Sequence, residues 1–218
     1  MTAREERRRA VLAAALAHVP FDGWTAALLD RAAEDLGVAP GEARRLFPGG
    51  AAELAGFFVA EADRRMVEAF AAKGGAELRI RERIALAVRL RLEHAAAHRE
   101  AVRRTLAFYA LPQNAAAGLA SLYRTVDAIW RAAGDTATDF NFYTKRALLA
   151  GVYGATLLYW LEDRSEGSTA TWRFLDRRIE DVMRIQKARS LVGKRLPQPD
   201  RVIGGIARRL ARVAPRPG

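Results

Sequence analysis

The chain has no cysteine and only three histidines among its 218 residues. The first absence excludes a disulfide framework and a thiolate metal site, and it fits a reducing compartment. The second leaves His18, His94 and His98 as the whole supply of imidazole, so few sites can use it as base or ligand. Long apolar runs are lacking as well. The longest, Ala147 to Leu161, is 15 residues between Lys145-Arg146 and Glu162-Asp163. That falls short of the roughly 20 that span a bilayer, and it reads as a buried core helix. No segment sustains the alternation of β-branched and polar residues that marks a strand.

Catalytic patterns are equally scarce. Ser165-Glu-Gly-Ser168 lacks the spacing of a nucleophile elbow, and no glycine-rich loop is arranged to cradle a phosphate. Glu162, Asp163 and Glu166 read as a loop or helix-capping cluster. His94 and His98 are four apart beside Glu93, yet no further ligand has matching spacing, so neither a metal site nor a cofactor is expected. An enzyme is not expected either.

What the chain has is positive charge and helical periodicity. The net charge of +11 is unevenly spread: residues 1–183 carry 26 Lys and Arg against 24 Asp and Glu, whereas 184–218 carry 10 against Asp200 alone. The first 50 residues balance seven basic side chains with seven acidic ones. A protein that grips DNA clusters cations on its docking element, so DNA is not expected as a partner of this N-terminal segment. The opening Met-Thr-Ala-Arg-Glu-Glu contains acids and leads into an amphipathic run with no cleavage site, which predicts a cytosolic chain.

Apolar spacing predicts about nine helices. The first covers about 2–19 and ends at Pro20. Thr25 caps a second helix that stops at Gly37, and a short third helix lies between Pro40 and Pro48, giving the outline of a helix-turn-helix. Further helices are expected near 51–72, 78–96 and 98–110, with Ile80, Ile84, Val88 and Leu92 inward on the second of these. The segment 113–132 puts Leu119, Leu122, Tyr123, Val126, Ile129 and Trp130 on one face. A central helix over 139–161 and a last body helix from Ser168, with Trp172, Leu175, Ile179, Val182 and Met183 inward, complete the body. The domain reading is a module over 1–50, a body over 51–187, a linker over 188–198 and a tail over 199–218.

In the tail, Val202, Ile203, Ile206, Leu210 and Val213 fall within one quadrant at about 100° per residue, while Arg208, Arg209 and Arg212 lie at its edge or beyond. A tethered cationic amphipathic helix suits an anionic membrane surface. Docking on the chain's own body or on a second subunit is the other reading of the same pattern.

The central helices carry more apolar bulk than one face requires. They are either core throughout, or they use Gly151 and Gly154, with Ala150 and Ala155, to leave room for an apolar ligand. Candidate lining residues are Leu119, Leu122, Tyr123, Val126, Trp130, Val152, Tyr153, Leu157 and Trp160. Ahead of the apolar run, Asp139, Asn141, Phe142, Tyr143, Lys145 and Arg146 mix charge with aromatic rings, the composition of an interface centre, or of a helix start capped by Asp139 or Asn141.

Asp139-Phe-Asn-Phe-Tyr-Thr-Lys-Arg146, the apolar run to Leu161, Thr171-Trp-Arg-Phe-Leu-Asp-Arg-Arg-Ile179 and Val182-Met183 together resemble one family. It is the accessory protein family of ubiquinone biosynthesis, helical lipid-binding relatives of the TetR repressors. The similarity covers about residues 5–190. It implies an all-α, TetR-repressor-like bundle with an isoprenoid lipid or ubiquinone precursor as ligand. The architecture suggests a homodimer, and the basic tail with the absence of a transit peptide suggests a peripheral place at the inner face of the cytoplasmic membrane. Members carry Asn-Trp-Tyr-Thr-Lys/Arg-Arg and contact a ubiquinone-pathway hydroxylase with the aromatic pair and the second basic residue. That implicates Phe142, Tyr143 and Arg146, with Asp139 beside them. This chain departs in having Phe142 where tryptophan is usual. A TetR-type repressor is the rival reading, with the same architecture and a different partner.

Overall fold

The computed structural model describes residues 2–135 and 140–195; the side chains of residues 40, 140–143 and 185–195 lie outside that description. Among the described residues the chain is helical throughout, with no strand: α1 (Ala3–Asp22), α2 (Leu28–Asp35), α3 (Pro40–Leu46), α4 (Gly50–Ala72), α5 (Ile80–Glu93), α6 (Arg99–Ala110), α7 (Ala115–Ala132), α8 (Phe140–Glu162) and α9 (Thr169–Arg195). Two compact units are distinguished, Met1–Asp176 and Arg177–Gly218. No break separates α1–α3 from the later helices, because α1 packs on α4 and α6 as well as on α2 and α3. Helix α9 continues through Arg195, into the stretch expected as a tether. The tail positions Val202, Ile203, Ile206, Arg208, Arg209, Leu210, Arg212 and Val213 lie outside the described residues.

Two helix boundaries differ from expectation for physical reasons. Pro20 does not end α1, which runs on to Asp22 and turns at Gly23, where φ is +67° and a side chain would be strained. The Pro20 carbonyl is clamped by Arg104, whose Nε and Nη2 donate at 3.1 and 2.8 Å. Thr25 does not cap α2. Its carbonyl accepts from the Leu28 amide in a preceding turn, and the helix opens at Leu28 with no side-chain cap. The stop at Gly37 is as expected: its φ is +64°, and the Val38 amide reaches back to the Ala33 carbonyl at 3.0 Å.

The core forms where α4 meets α5 and α7, with Leu54, Phe58, Met66 and Phe70 buried on α4 and Ile84, Val88 and Leu92 on α5. Ile80, expected inward, is exposed at the first position of α5. Met183, expected inward on α9, is exposed too. The N-terminal helices are locked to α6 by Trp24, buried on Phe58 with ring centroids 5.7 Å apart and donating from Nε1 to Thr105 Oγ1 at 3.0 Å. Helix α6 meets α7 at Gly118, where a Cβ would come within 2.7 Å of the Tyr109 Cβ. Any larger residue there would push the two helices apart.

The turn from α8 into α9 is organised by Asp163. Its carboxylate accepts from the amide and hydroxyl of both Ser165 and Thr171, at 2.6 to 2.9 Å. Although burial opposes it, these four donors hold the carboxyl well below its ordinary value. The stabilisation is therefore complete above the unfolded-state value of about 3.9 and fades as pH falls below it. Asp163→Ala should lower unfolding free energy by about 2–3 kcal/mol at neutral pH, by leaving Thr171 without its acceptor. In urea titrations the gap between variant and parent should narrow as pH falls below about 4.

Candidate ligand cavity

A mainly apolar, partly open cavity of about 90 Å³ lies among α4, α5, α6, α7 and α8. Phe58 and Val59 come from α4, Val102, Leu106 and Tyr109 from α6, Gly118 and Leu122 from α7, and Leu157 from α8. One part of its wall is polar. Arg91 and Tyr153 border the space, each only 5 % exposed, together with Ser121 and Thr125. Arg91 donates from Nε to Asp63 at 2.6 Å, and Thr125 Oγ1 donates to the same carboxylate at 2.9 Å. Burial pushes the Asp63 carboxyl up, with the Arg91 guanidinium pulling the other way. Burial likewise raises the Tyr153 phenol, which is therefore a neutral hydroxyl at physiological pH.

This polar network explains the orientation of α7. The sequence pattern puts Leu119, Leu122, Tyr123, Val126, Ile129 and Trp130 inward. The buried face is instead Ser121, Thr125, Val126 and Ile129. A charged pair sealed in the core needs further hydrogen bonds, and Thr125 supplies one only if its own side of the helix turns in. Leu119 and Tyr123 are left exposed, at 68 % and 45 %.

Of the nine candidate lining residues, Leu122, Tyr153 and Leu157 border the cavity. Val126, Val152 and Trp160 are buried without bordering it, Trp160 beneath the Arg99 guanidinium at 4.4 Å. Trp130 is half-buried, donating from Nε1 to the Lys145 carbonyl at 3.2 Å. Gly151 and Gly154 do not make the space: a Cβ on either would meet nothing within 4 Å, and neither borders the cavity. The sequence pattern alone misses Asp63 and Arg91. Their signal is complementary charge at core positions, Asp63 between Phe58 and Met66 and Arg91 seven residues after Ile84.

Of the expected partner-binding residues, Arg146 turns inward. It is 4 % exposed, donating to Asp127 from Nε at 2.8 Å and from Nη2 at 2.6 Å, and to Asp135 from Nη1 at 3.3 Å. Its place on α8 makes it a clamp on α7 and on the turn after it. Asp139 and the side chains of Phe142 and Tyr143 lie outside the described residues.

A second crevice of about 140 Å³ between α1, α4 and the end of α5 is bordered by Arg9, Glu61, Arg65, His94 and His98. Glu61 is already engaged by Arg9 and Arg64, and burial together with Arg65 lowers the His98 imidazole. No cluster of three or more His, Cys, Asp or Glu able to hold a metal occurs among the described residues.

On the helix-turn-helix, Arg44 of α3 is bound by Asp30 through two hydrogen bonds of 3.0 and 2.6 Å, and Glu42 lies 3.5 Å from Arg7. The short third helix thus has its cations partly neutralised from within.

Comparison with known proteins places these features. The chain matches a solved structure of a TetR transcriptional regulator from Nitrosomonas europaea with a TM-score of 0.68 and 25 % identity, covering 80 % of this chain and 97 % of that one. The fold is therefore TetR-like. Residues 115–186, which hold α7, α8 and much of α9, match the COQ9 family model. The mitochondrial ubiquinone biosynthesis protein COQ9 of Rattus norvegicus is 38 % identical over 186 residues, covering 82 % of this chain and 59 % of that protein. Its Homo sapiens counterpart is 36 % identical, covering 82 % and 58 %. The chain thus spans somewhat under three-fifths of the length of these curated relatives. With the helical architecture, the apolar run of α8 and these alignments in agreement, the chain is a homologue of the COQ9 ubiquinone biosynthesis proteins.

Proposed function

We propose that this chain is a non-enzymatic accessory protein of ubiquinone biosynthesis, which takes up polyprenylated quinone intermediates at the membrane and delivers them to a hydroxylase. The observation that carries the reading is the mainly apolar cavity among α4–α8, in a chain homologous to COQ9. At about 90 Å³ it is far below the roughly 300 Å³ at which ligand pockets begin. Uptake of a lipid therefore requires the helices to part, and the half-buried Leu106 and Leu122 on α6 and α7 form the wall nearest solvent.

Surface chemistry supports the other parts of this reading. The tail with Val202, Ile206 and Leu210 amid arginines suits the inner face of an anionic cytoplasmic membrane, and no helix among the described residues is long and apolar enough to cross one. The segment with Asp139, Phe142 and Tyr143, which mixes charge with aromatic rings in the sequence, is what we assign to the hydroxylase. A homodimer is supported by one face of α8, where Ala147, Gly151 and Leu158 are exposed along a single stripe. The neutral first 50 residues and the internally paired Arg44 favour a carrier over a DNA-binding repressor.

Organic extracts of the gently purified chain should contain a long-chain quinone intermediate or another isoprenoid lipid near one equivalent by mass spectrometry. A lipid-free protein that shifts duplex DNA would sink the carrier reading. Leu122→Trp, which fills the cavity from its outer wall, should reduce the bound lipid severalfold with little change in melting temperature. For the hydroxylase surface, Phe142→Ala and Tyr143→Ala should weaken capture of the enzyme while leaving the melt unchanged. Arg146→Ala should instead cost about 1–3 kcal/mol of stability, since it removes the buried guanidinium between Asp127 and Asp135 and leaves those carboxylates to Arg131 and Lys145. A stable Arg146→Ala variant with lost capture would return that side chain to the interface.

A further inference from the structure

The polar wall of the cavity holds more hydrogen-bond donors than the protein uses. Asp63 is fully engaged by Arg91 Nε and by Thr125. Arg91 Nη2 makes one long contact, 3.4 Å to the Val59 carbonyl. Among the described residues, neither Arg91 Nη1 nor the Tyr153 hydroxyl has a hydrogen-bond partner. Both residues border the cavity, and the hydroxyl lies near enough to Arg91 and Asp63 for both charges to act on it. Two donors, on residues close enough to interact, therefore border a space whose apolar lining includes Phe58, Val102 and Leu157.

The charges at this end select among acceptors. Asp63 already balances Arg91, so that pair carries no net charge of its own. A carboxylate would set a second negative charge beside Asp63 in a largely apolar pocket, which is unfavourable. A hydrocarbon would leave both donors unmade. Water accepts from both as well, and is what an entering ligand displaces. A carbonyl oxygen has two lone pairs, no hydrogens and no net charge, and so matches two donors while its hydrocarbon lies against Phe58, Val102 and Leu157.

We propose that Tyr153 and Arg91 form a headgroup subsite that takes a neutral carbonyl oxygen, so that an amphiphilic ketone enters the cavity head first with its tail towards the α6–α7 wall. The proposal rests on the carrier reading of this cavity and deepens it by naming what the inner end recognises.

Equilibrium dialysis of the 218-residue chain, stripped of lipid, against methyl decyl ketone, undecane and undecanoic acid tests it. The ketone should bind about tenfold more tightly than undecane, the order expected of a buried hydrogen bond, and also more tightly than the acid. Tyr153→Phe removes only the unpartnered hydroxyl and should abolish most of the ketone's advantage without changing the affinity for undecane. Equal binding of ketone and undecane by the parent, tighter binding of the acid, or an undiminished ketone preference in Tyr153→Phe would each overturn the headgroup subsite while leaving the cavity a lipid site. Failure of all three probes to bind would overturn the carrier reading together with this proposal. The discrimination shown by the parent chain needs no variant, so a misfolded Tyr153→Phe would not rescue the idea.

Discussion

The buried ion pair between Asp63 and Arg91 sets the arrangement of the body around it. A carboxylate and a guanidinium sealed among apolar side chains are tolerable only when their remaining valences are met. Here the single Thr125 hydroxyl meets one of them, lying 3.1 and 2.9 Å from the two carboxylate oxygens. That requirement fixes α4, α5 and α7 in relation to one another and rotates α7 so that its small hydroxyl residues face inward. The cavity results from the same choice, because Ser121 and Thr125 occupy less volume than the leucine and tyrosine that the apolar pattern would place there.

The N-terminal helices serve this body as a wall. Trp24 packs on Phe58 and hydrogen-bonds Thr105, and both of those residues border the cavity. Arg104, one residue earlier on α6, clamps the Pro20 carbonyl at the end of α1. The helix-turn-helix is thus tied to the cavity wall through Trp24, while Arg44 of α3 is bound by its own Asp30.

The helices themselves are legible from apolar spacing, because period and breakers are local properties. Gly37 and the apolar runs of α4, α7 and α8 can be read directly. What is not legible depends on partners distant in sequence. Pro20 reads as a stop because its cost is local, whereas the Arg104 clamp comes from 84 residues away. Leu119 and Tyr123 read as inward because nothing near them in the chain announces that Asp63, 62 residues before Thr125, claims the opposite face. Family resemblance and aromatic company both point Arg146 to a surface. The two aspartates that bury it lie on α7 and the turn after it, and only folding brings them together.

The outward turn of apolar residues on α7 and α8 is the counterpart of the inward turn of polar ones. Helix α8 has Tyr153 and Leu157 on the cavity, and on its other side Ala147, Gly151 and Leu158 remain exposed. A helix that buries its face on the body alone has no need of apolar residues opposite that face. The outer stripe is not covered by the described residues, and the dimer proposed above is what would cover it. On that proposal the inner and outer faces of the same helix answer to different partners, a ligand at Tyr153 and a second copy at Leu158. Because Gly151 and Gly154 have no neighbour within 4 Å of a built Cβ, the small residues that suggest room for a ligand make room on the outside instead. Small residues in an apolar helix mark a close approach of some kind, and only the fold says on which side it occurs.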